Sequence, residues 1–591
     1  MIASSPLKKY KQMKNYKIFT VILLLTLFSV SCKKDYLERT PGVAISEDDI
    51  FADPALAARF ADNAYNYVIT KYVRFNDHRG CTAQASDEAV SGNSEGSVTS
   101  LNRGLYHDHS NGPSLNDIYG VWKLMYAGIA VENKMLARIG EVPPSPNASV
   151  PIFDAKRVEG EMRFLRALSY FELTKRFGGV PIIDKVYAVT DDLNSIPRSS
   201  FAQVTDFILK DIEVALTKLG TDADYGASNY GRPTLGAALA LKARVLLYAA
   251  SPLNNPNNDK TKWQAAATAA AEVMKGVDGL AKQAYSLQDN YGELLNLPNS
   301  PEYIMMRIKG PTPLAGEMMQ DFSMSPGSGG AQGQMNPTQN HVDMYEMANG
   351  KAITDPTSGY DPKNPYLNRE PRFYNNIIYN DLAWQGRKIE MWTSTDAGGK
   401  VSYGKDYSTT ITYTATRYYC KKYWPEVYRT VGGSTTLLNY LYFRYGEVLL
   451  NYAEAQNEAT GPDASVYAQL VALRKRAKIT PGTGTYGYGL KDNMTQDEMR
   501  IAIRHERAIE LAFEDHRWYD IMRWKIGAQT IAVPMKGMDV VKNTNGSFTY
   551  TPIVLGPTFQ KSWTEAQNLY PIPRAEIYKS KGALIQNPGW E

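Results

Sequence analysis

The sequence predicts a mainly α protein: a scaffold of paired helices carrying an inserted loop-rich, short-strand subdomain. Three observations support this. Apolar residues recur at helical spacing through 54–277 and again after 440. Residues 280–435 lose that period and are rich in Gly, Pro, Asn, Thr and Tyr, with short alternating pieces such as 410–419. Turn formers separate the helical runs, so helices fall into pairs: 155–177 with 201–218, 234–250 with 262–276, and 440–459 with 464–478.

Each element has its own signature. Lys14 and Lys17 precede a 13-residue run, Ile18 to Val30, that is apolar apart from Thr20, Thr26 and Ser29. A membrane-spanning helix needs about 20 apolar residues, so this run reads as a signal peptide. The small residues Ser29, Val30 and Ser31 lead to Cys32, the arrangement of a bacterial lipobox, in which the cysteine is acylated and becomes the first mature residue. In 156–177, Val158, Met162 and Leu165 form one apolar stripe and Phe164, Leu168 and Phe171 a second, which places that helix between two neighbours. Pro233 and Thr234 open the next helix, Pro252 follows it, and Ala237, Ala238, Ala240 and Ala243 allow close approach of other helices. Leu441, Tyr445, Val448, Tyr452 and Ala455 repeat the spacing, and Gly461-Pro462 ends the run. The pattern is that of a tetratricopeptide-like stack without a fixed repeat period. The expected organisation is a signal peptide at 1–31, an N-terminal helical scaffold at 32–279, the insert at 280–435 and a C-terminal helical part at 436–591.

Composition excludes some functions. Cleavage before Cys32 removes Lys8, Lys9, Lys11, Lys14 and Lys17 and no acid, so the formal charge falls from +4 to −1. The mature chain has no net electrostatic attraction for nucleic acid. Beyond Cys32 only Cys81 and Cys420 remain; they could pair in an oxidising compartment but make no disulfide framework.

Catalytic motifs are weak. Gly92-Asn93-Ser94-Glu95-Gly96 matches a nucleophile elbow, but its polar, Ser-rich flanks lack the required strand and helix. Gly482 to Gly487 matches GxGxxG without a βαβ unit around it. The six histidines show no zinc spacing, and no metal or cofactor is expected. Glu506, Glu510 and Glu514 stand at i, i+4 and i+8 on one helix face, where like charges repel unless cations oppose them. Arg504, Arg507, Arg517 and Arg523 are near in sequence, and a structural ion-pair network is the reading preferred over an acid–base or metal site.

Seven segments together resemble the SusD/RagB family of Bacteroidetes outer-membrane lipoproteins, nearly end to end. They are CKKDYLE at 32–38, RFLRALSYFELTKRFGGVPI at 163–182, RPTLGAALALKARVLLYAASP at 232–252, FRYGEVLLNYAEAQNEA at 443–459, ERAIELAFEDHRWYDIMRW at 506–524, LYPIPRAEI at 569–577 and QNPGW at 586–590. Asp515 stands where the family usually has glycine, and Ser580-Lys581 replaces a usual Asn-Pro. The resemblance implies a helical scaffold packed on a SusC-type TonB-dependent transporter, with the variable insert holding a nutrient, most often a glycan, over the transporter mouth. It implies a non-enzymatic, lipid-anchored protein on the outer face of the outer membrane. The charged residues after Cys32 resemble the family's surface-export signal. The RagB branch of the family binds peptides instead, and a glycoside hydrolase would need a carboxylate pair that nothing here singles out.

Sugars present flat C–H faces ringed by hydroxyls, so a glycan site needs exposed aromatic platforms and planar hydrogen-bonding groups. Forty tyrosines against 17 phenylalanines suit partly wet aromatic surfaces. The candidates are Asp77, Arg79, Tyr106 and His107 in the long polar region 76–113, and Trp384, Arg387 and Trp392 in the insert. The anchor is directly testable: Cys32→Ala is expected to abolish acylation and move the protein from the membrane to the soluble fraction. Retention of lipid label and membrane association by that variant would refute the lipobox assignment.

Overall fold

The computed structural model describes residues 45–68, 80–92, 97–104, 120–145, 152–307, 324–329, 333–409, 413–427 and 437–590. Cys32 lies outside the described residues. In chain order the scaffold helices are α1 (Glu47–Ala52), α2 (Pro54–Asn63), α3 (Val121–Arg138), α4 (Ala155–Phe177), α5 (Phe201–Lys218), α6 (Leu235–Ala250) and α7 (Lys260–Met274). After the insert come α8 (Tyr445–Thr460), α9 (Ala464–Arg476), α10 (Gln496–Glu510) and α11 (Arg517–Trp524). The strands are β1 (Ala89–Ser91), β2 (Tyr303–Arg307), β3 (Met335–Pro337), β4 (Thr393–Thr395), β5 (Val401–Tyr403), β6 (Tyr440–Arg444), β7 (Lys536–Lys542) and β8 (Phe548–Val554), with further two-residue ladders in the insert.

Local chemistry sets the helix ends. Asp154 caps α4 by accepting from the Arg157 amide, and Gly178, at φ +72°, takes the left-handed conformation that stops it. Ser200 and Gln203 form a capping box on α5, and Thr234 caps α6. Both stripes of α4 are buried, and the helix packs against α3 and α5. Gly160 permits that approach, since a Cβ there would meet Leu219 Cδ2 at 2.9 Å. The alanine-rich α6 packs against α5, α7 and α8. The helix-pair scaffold expected from the periodicity is therefore present.

The structure differs from the sequence reading at Leu441. Residues 440–444 are strand β6, antiparallel to β2, and the helix begins only at Tyr445. The i, i+4 spacing of Leu441 and Tyr445 is coincidental; the run Tyr440 to Phe443 is aromatic-rich and has β2 as a ladder partner. β7 and β8 form an antiparallel hairpin, β4 adds in parallel to β7, and β5 pairs with β4. Residues 280–435 thus share both the β2–β6 ladder and this four-stranded sheet with the C-terminal part. One hydrophobic cluster joins Phe51, Phe164, Tyr345, Phe373, Trp518 and Tyr570. Cys81 and Cys420 are buried and unpaired with each other, and burial pushes the Cys420 thiol up to about 12. Tyr486, in the glycine-rich loop 482–487, stacks on Tyr467 with centroids 3.7 Å apart, which gives that loop a packing role.

A buried charge network crosses these elements. Glu506 accepts from Arg372 at 2.5 Å and Arg474 at 2.9 Å. Glu510 accepts from Arg372 at 3.1 Å, Arg444 at 2.8 Å and Arg476. Glu514 takes Arg444 at 2.7 Å and Lys422 at 2.6 Å. Glu302, Glu346 and Glu370 complete the set, pairing with Arg444 and Arg476, with Arg474, and with Arg372. Five cations therefore face six carboxylates. Glu370 is pushed upward by burial, and one of its oxygens has no hydrogen-bond partner.

The partners are not the arginines nearest in sequence. Arg507 pairs with Asp520 at 2.7 Å, Arg517 with Asp87 at 2.8 Å and Arg523 with Glu454 at 2.5 Å, while Arg504 lies 4.7 Å from the Trp524 ring. Removing one member of a buried pair strands the others in a low-dielectric interior at a cost of roughly 3–5 kcal/mol. Glu510→Gln is expected to lose about that much stability in chemical denaturation; a variant as stable as the parent would show that the network adds nothing. Acid should act on the same groups. Burial alone would raise the Glu454 and Glu172 carboxyls, but Arg523 holds the first at about 2 and Lys175 and Arg176 hold the second there. Burial would also raise Glu510, yet Arg476, Arg444 and Arg372 hold it low. Unfolded carboxyls titrate near 4.3, so this stability is complete above that pH and is lost as pH falls toward about 2. The melting temperature should fall steeply as pH drops below ~4.5, as scanning calorimetry across pH would show.

Candidate functional site

Asp77, Arg79, Tyr106 and His107 lie outside the described residues, so the structure bears on the three candidates in the insert. Trp384 and Arg387 occupy a tight hairpin turned by Gln385 and Gly386, both at positive φ. Trp384 is only 7% exposed and packs with Met324, Ile389, Met391, Tyr419 and Trp424. Its ring meets Trp424 edge-on at 6.1 Å, Lys421 Nζ lies 4.5 Å from it, and its indole nitrogen has no partner. The expectation of an exposed platform is corrected here: an aperiodic hairpin can bury a ring as completely as a helix when it folds over an apolar cluster. Arg387 makes a bidentate pair with Asp406 at 2.5 and 2.6 Å, which fastens the hairpin to the following loop. Trp392 is half-buried, with Lys542 Nζ 4.5 Å from its ring.

The described residues form a groove of about 490 Å³ beside Val68, the last described residue before the segment that carries Asp77 and Arg79. Its wall is β2, through Met305, Met306 and Arg307, and its aromatic lining is Tyr65, Tyr230 and Tyr442. The β2–β6 register shifts between Leu441 and Phe443, so Tyr442 sits in a bulge, a device that re-aims a side chain from the ladder. Arg244, paired with Glu447 at 2.7 Å, donates to the Tyr442 carbonyl and fixes the bulge from below. Arg232 lies 5.5 Å from the Tyr65 ring and bonds Asp62 at 2.8 Å, Glu161 at 3.0 Å and Asn229 at 3.0 Å. Tyr230 donates its hydroxyl to Asn299 at 2.7 Å. Ring faces beside amides and guanidinium groups suit a ligand with apolar faces and many hydroxyls. Among the described residues no group of His, Cys, Asp or Glu could hold a metal ion.

A strap, residues 80–92, runs between the two undescribed segments that bear the sequence candidates and is pinned throughout. Arg517 grips Asp87 at 2.8 and 2.9 Å, and the Phe513 amide donates to Glu88 at 2.7 Å. Burial pushes the Glu88 carboxyl up to about 8. Lys561 Nζ, also buried, donates to the carbonyls of Gln84 at 2.9 Å, Ala89 at 2.7 Å and Ser86. Burial brings that ammonium down to about 7. Asp515 adopts φ +63° and accepts from Thr82, so an aspartate fills a left-handed position that glycine takes more easily.

The groove residues Tyr65, Tyr230, Arg232, Arg307 and Tyr442 were not anticipated, because aromatics next to helical runs read as packing. The aromatic-rich run Tyr440–Phe443 was the available signal, since a short continuous run of aromatic and apolar residues favours a buried strand.

Comparison with known proteins agrees with this fold. The family model described as "Starch-binding associating with outer membrane" matches residues 35–247, and the "SusD family" model matches 301–590. A SusD-like protein of Formosa agariphila is 24% identical, with 98% of this chain and 100% of that protein aligned. The crystal structure of a SusD-like protein from Bacteroides fragilis superposes with TM-score 0.71 at 27% identity, over 93% of this chain and 99% of the other. A laminarin-binding SusD-like protein shares the fold with TM-score 0.57 at 20% identity, over 91% and 98% of the two chains. With two family models matched along its length and a scaffold of the same architecture, the chain belongs to the SusD/RagB family.

Proposed function

We propose that this protein is a lipid-anchored, cell-surface glycan-binding protein that captures oligosaccharide and passes it to a SusC-type TonB-dependent transporter in the outer membrane. The observation that supports glycan binding most directly is the groove beside Val68, where three tyrosines share a lining with Arg232, Arg307 and Asn66, in a family whose solved members include a SusD-like carbohydrate-binding protein. The family model's wording on outer-membrane association supports the location. Acylation of Cys32, at the end of the apolar run 18–30, is the proposed attachment. Asp77, Arg79, Tyr106 and His107 remain proposed ligand contacts on their residue types, with Trp392 a further contact and Arg387 a support for the 383–388 hairpin. No catalytic step is assigned: the carboxylates that dominate the interior are held by arginines as structure.

Titration calorimetry of the mature chain with soluble glycans tests this reading. Binding is expected, with Arg307→Ala and Tyr106→Ala each weakening it about tenfold, roughly 1.4 kcal/mol, at unchanged melting temperature. Trp384→Ala should instead lose about 3–5 kcal/mol of stability, the cost of emptying a buried indole site. Release of reducing ends would indicate a hydrolase, and binding of peptides in place of glycans would move the protein to the other ligand class of its family.

A further inference from the structure

We infer that the turn between α5 and α6 carries a second saccharide subsite, for a neutral glycan, which a long oligosaccharide reaches by crossing Tyr230. The inference rests on the proposed glycan-binding function and extends it to a place the ligand groove does not include.

Tyr230 lines two cavities. One is the groove beside Val68; the other, on the far side of the turn, has a volume of about 810 Å³ and is lined by Asp222, Gln283, Tyr285, Asn299 and Tyr303 as well as Tyr230. Its planar polar groups are set in place before any ligand arrives. Gln283 Nε2 donates to Asp222 Oδ2 at 2.6 Å while the Asp222 amide donates back to Gln283 Oε1 at 3.1 Å. The Tyr230 hydroxyl holds Asn299 through Oδ1, which leaves the Asn299 Nδ2 group for a ligand hydroxyl. The rings are equally fixed. Tyr303 donates to the Leu294 carbonyl at 2.5 Å, and Tyr285 lies against Gly236, where a Cβ would come within 2.0 Å of its hydroxyl oxygen; both rings are buried and form the floor, while the partly exposed Tyr230 offers its face to a sugar. A site whose amides and rings are already immobilised loses little conformational entropy on binding.

Charge distinguishes the two cavities. The groove beside Val68 contains Arg232 and Arg307. Among the described residues lining the second cavity there is no lysine or arginine, and Asp222 is its one charged side chain. A uronate or sulfated sugar would meet that carboxylate with no compensating cation, so the subsite selects neutral sugars.

The test titrates the mature protein with laminaritriose and laminariheptaose, maltotriose and maltoheptaose, and oligogalacturonates of the same lengths. The heptaose of a bound neutral series is expected to bind at least tenfold tighter than its triose. The double variant Asp222→Asn/Gln283→Ala should erase that gain while keeping triose affinity and melting temperature, whereas Arg307→Ala should weaken both lengths alike. Oligogalacturonate should show no gain with length. The subsite is refuted if the double variant keeps the heptaose advantage, if wild-type protein shows none, or if the acidic series gains equally. Absence of binding of every triose and heptaose by the wild type would overturn the glycan-binding function itself, and the subsite with it.

Discussion

A carboxylate taken out of water must find a cation, and Glu510 finds three: Arg372 from the insert, Arg444 from the end of β6 and Arg476 from the end of α9. No two of these lie in the same secondary-structure element. Satisfying that one side chain therefore fixes the relative placement of a short helix of the insert, Pro371–Asn376, of strand β6 and of helices α9 and α10 at once. It also explains a backbone detail: Arg444 is extended, at φ −136° and ψ 157°, and from there its guanidinium spans Glu302, Glu510 and Glu514. Continuing α8 one turn earlier would point the arginine elsewhere and leave buried acids unpaired.

The same network positions the ligand groove. Glu302 immediately precedes β2, and it is held by Arg444 and Arg476 while its carbonyl accepts from the Tyr445 amide. The strand leaving that anchor supplies Met305, Met306 and Arg307 to the groove wall, and its partner β6 supplies the bulged Tyr442. The proposed binding surface is thus tied directly to the buried ion-pair network. Burying several ion pairs is a poor way to gain stability against an apolar core of equal volume. It is a good way to permit only one arrangement, because every alternative register leaves a charge stranded.

What was legible in the sequence follows from the range of the interactions involved. Helix boundaries such as 155–177 and 201–218 depend on caps and periodicity within a few residues, and they coincide with α4 and α5. The triplet Glu506, Glu510 and Glu514 announced a need for cations, and the structural reading of it holds. Which cations answer was hidden, because Arg372 is 134 residues from Glu506 and nothing local marks it. Trp384 failed for the related reason that burial in a hairpin depends on Trp424 and Met324, both far away in the chain. The groove tyrosines were masked by the start of a helix: Leu441 matched the 3.6 period of α8 by chance, and the strand before it was absorbed into that pattern.

Lys561 donates its ammonium protons to three backbone carbonyls of the strap, the kind of oxygen cage that elsewhere encloses a calcium or sodium ion. Here the cation is covalently part of the chain. The strap's shape is then independent of the mineral content of the surrounding water and cannot be dissolved by a chelator. What it answers to is proton concentration, since an amine that has given up its proton has two hydrogens for three carbonyls. That exchanges a dependence on scarce metal for a dependence on pH near neutrality, since burial has brought this ammonium down to about 7.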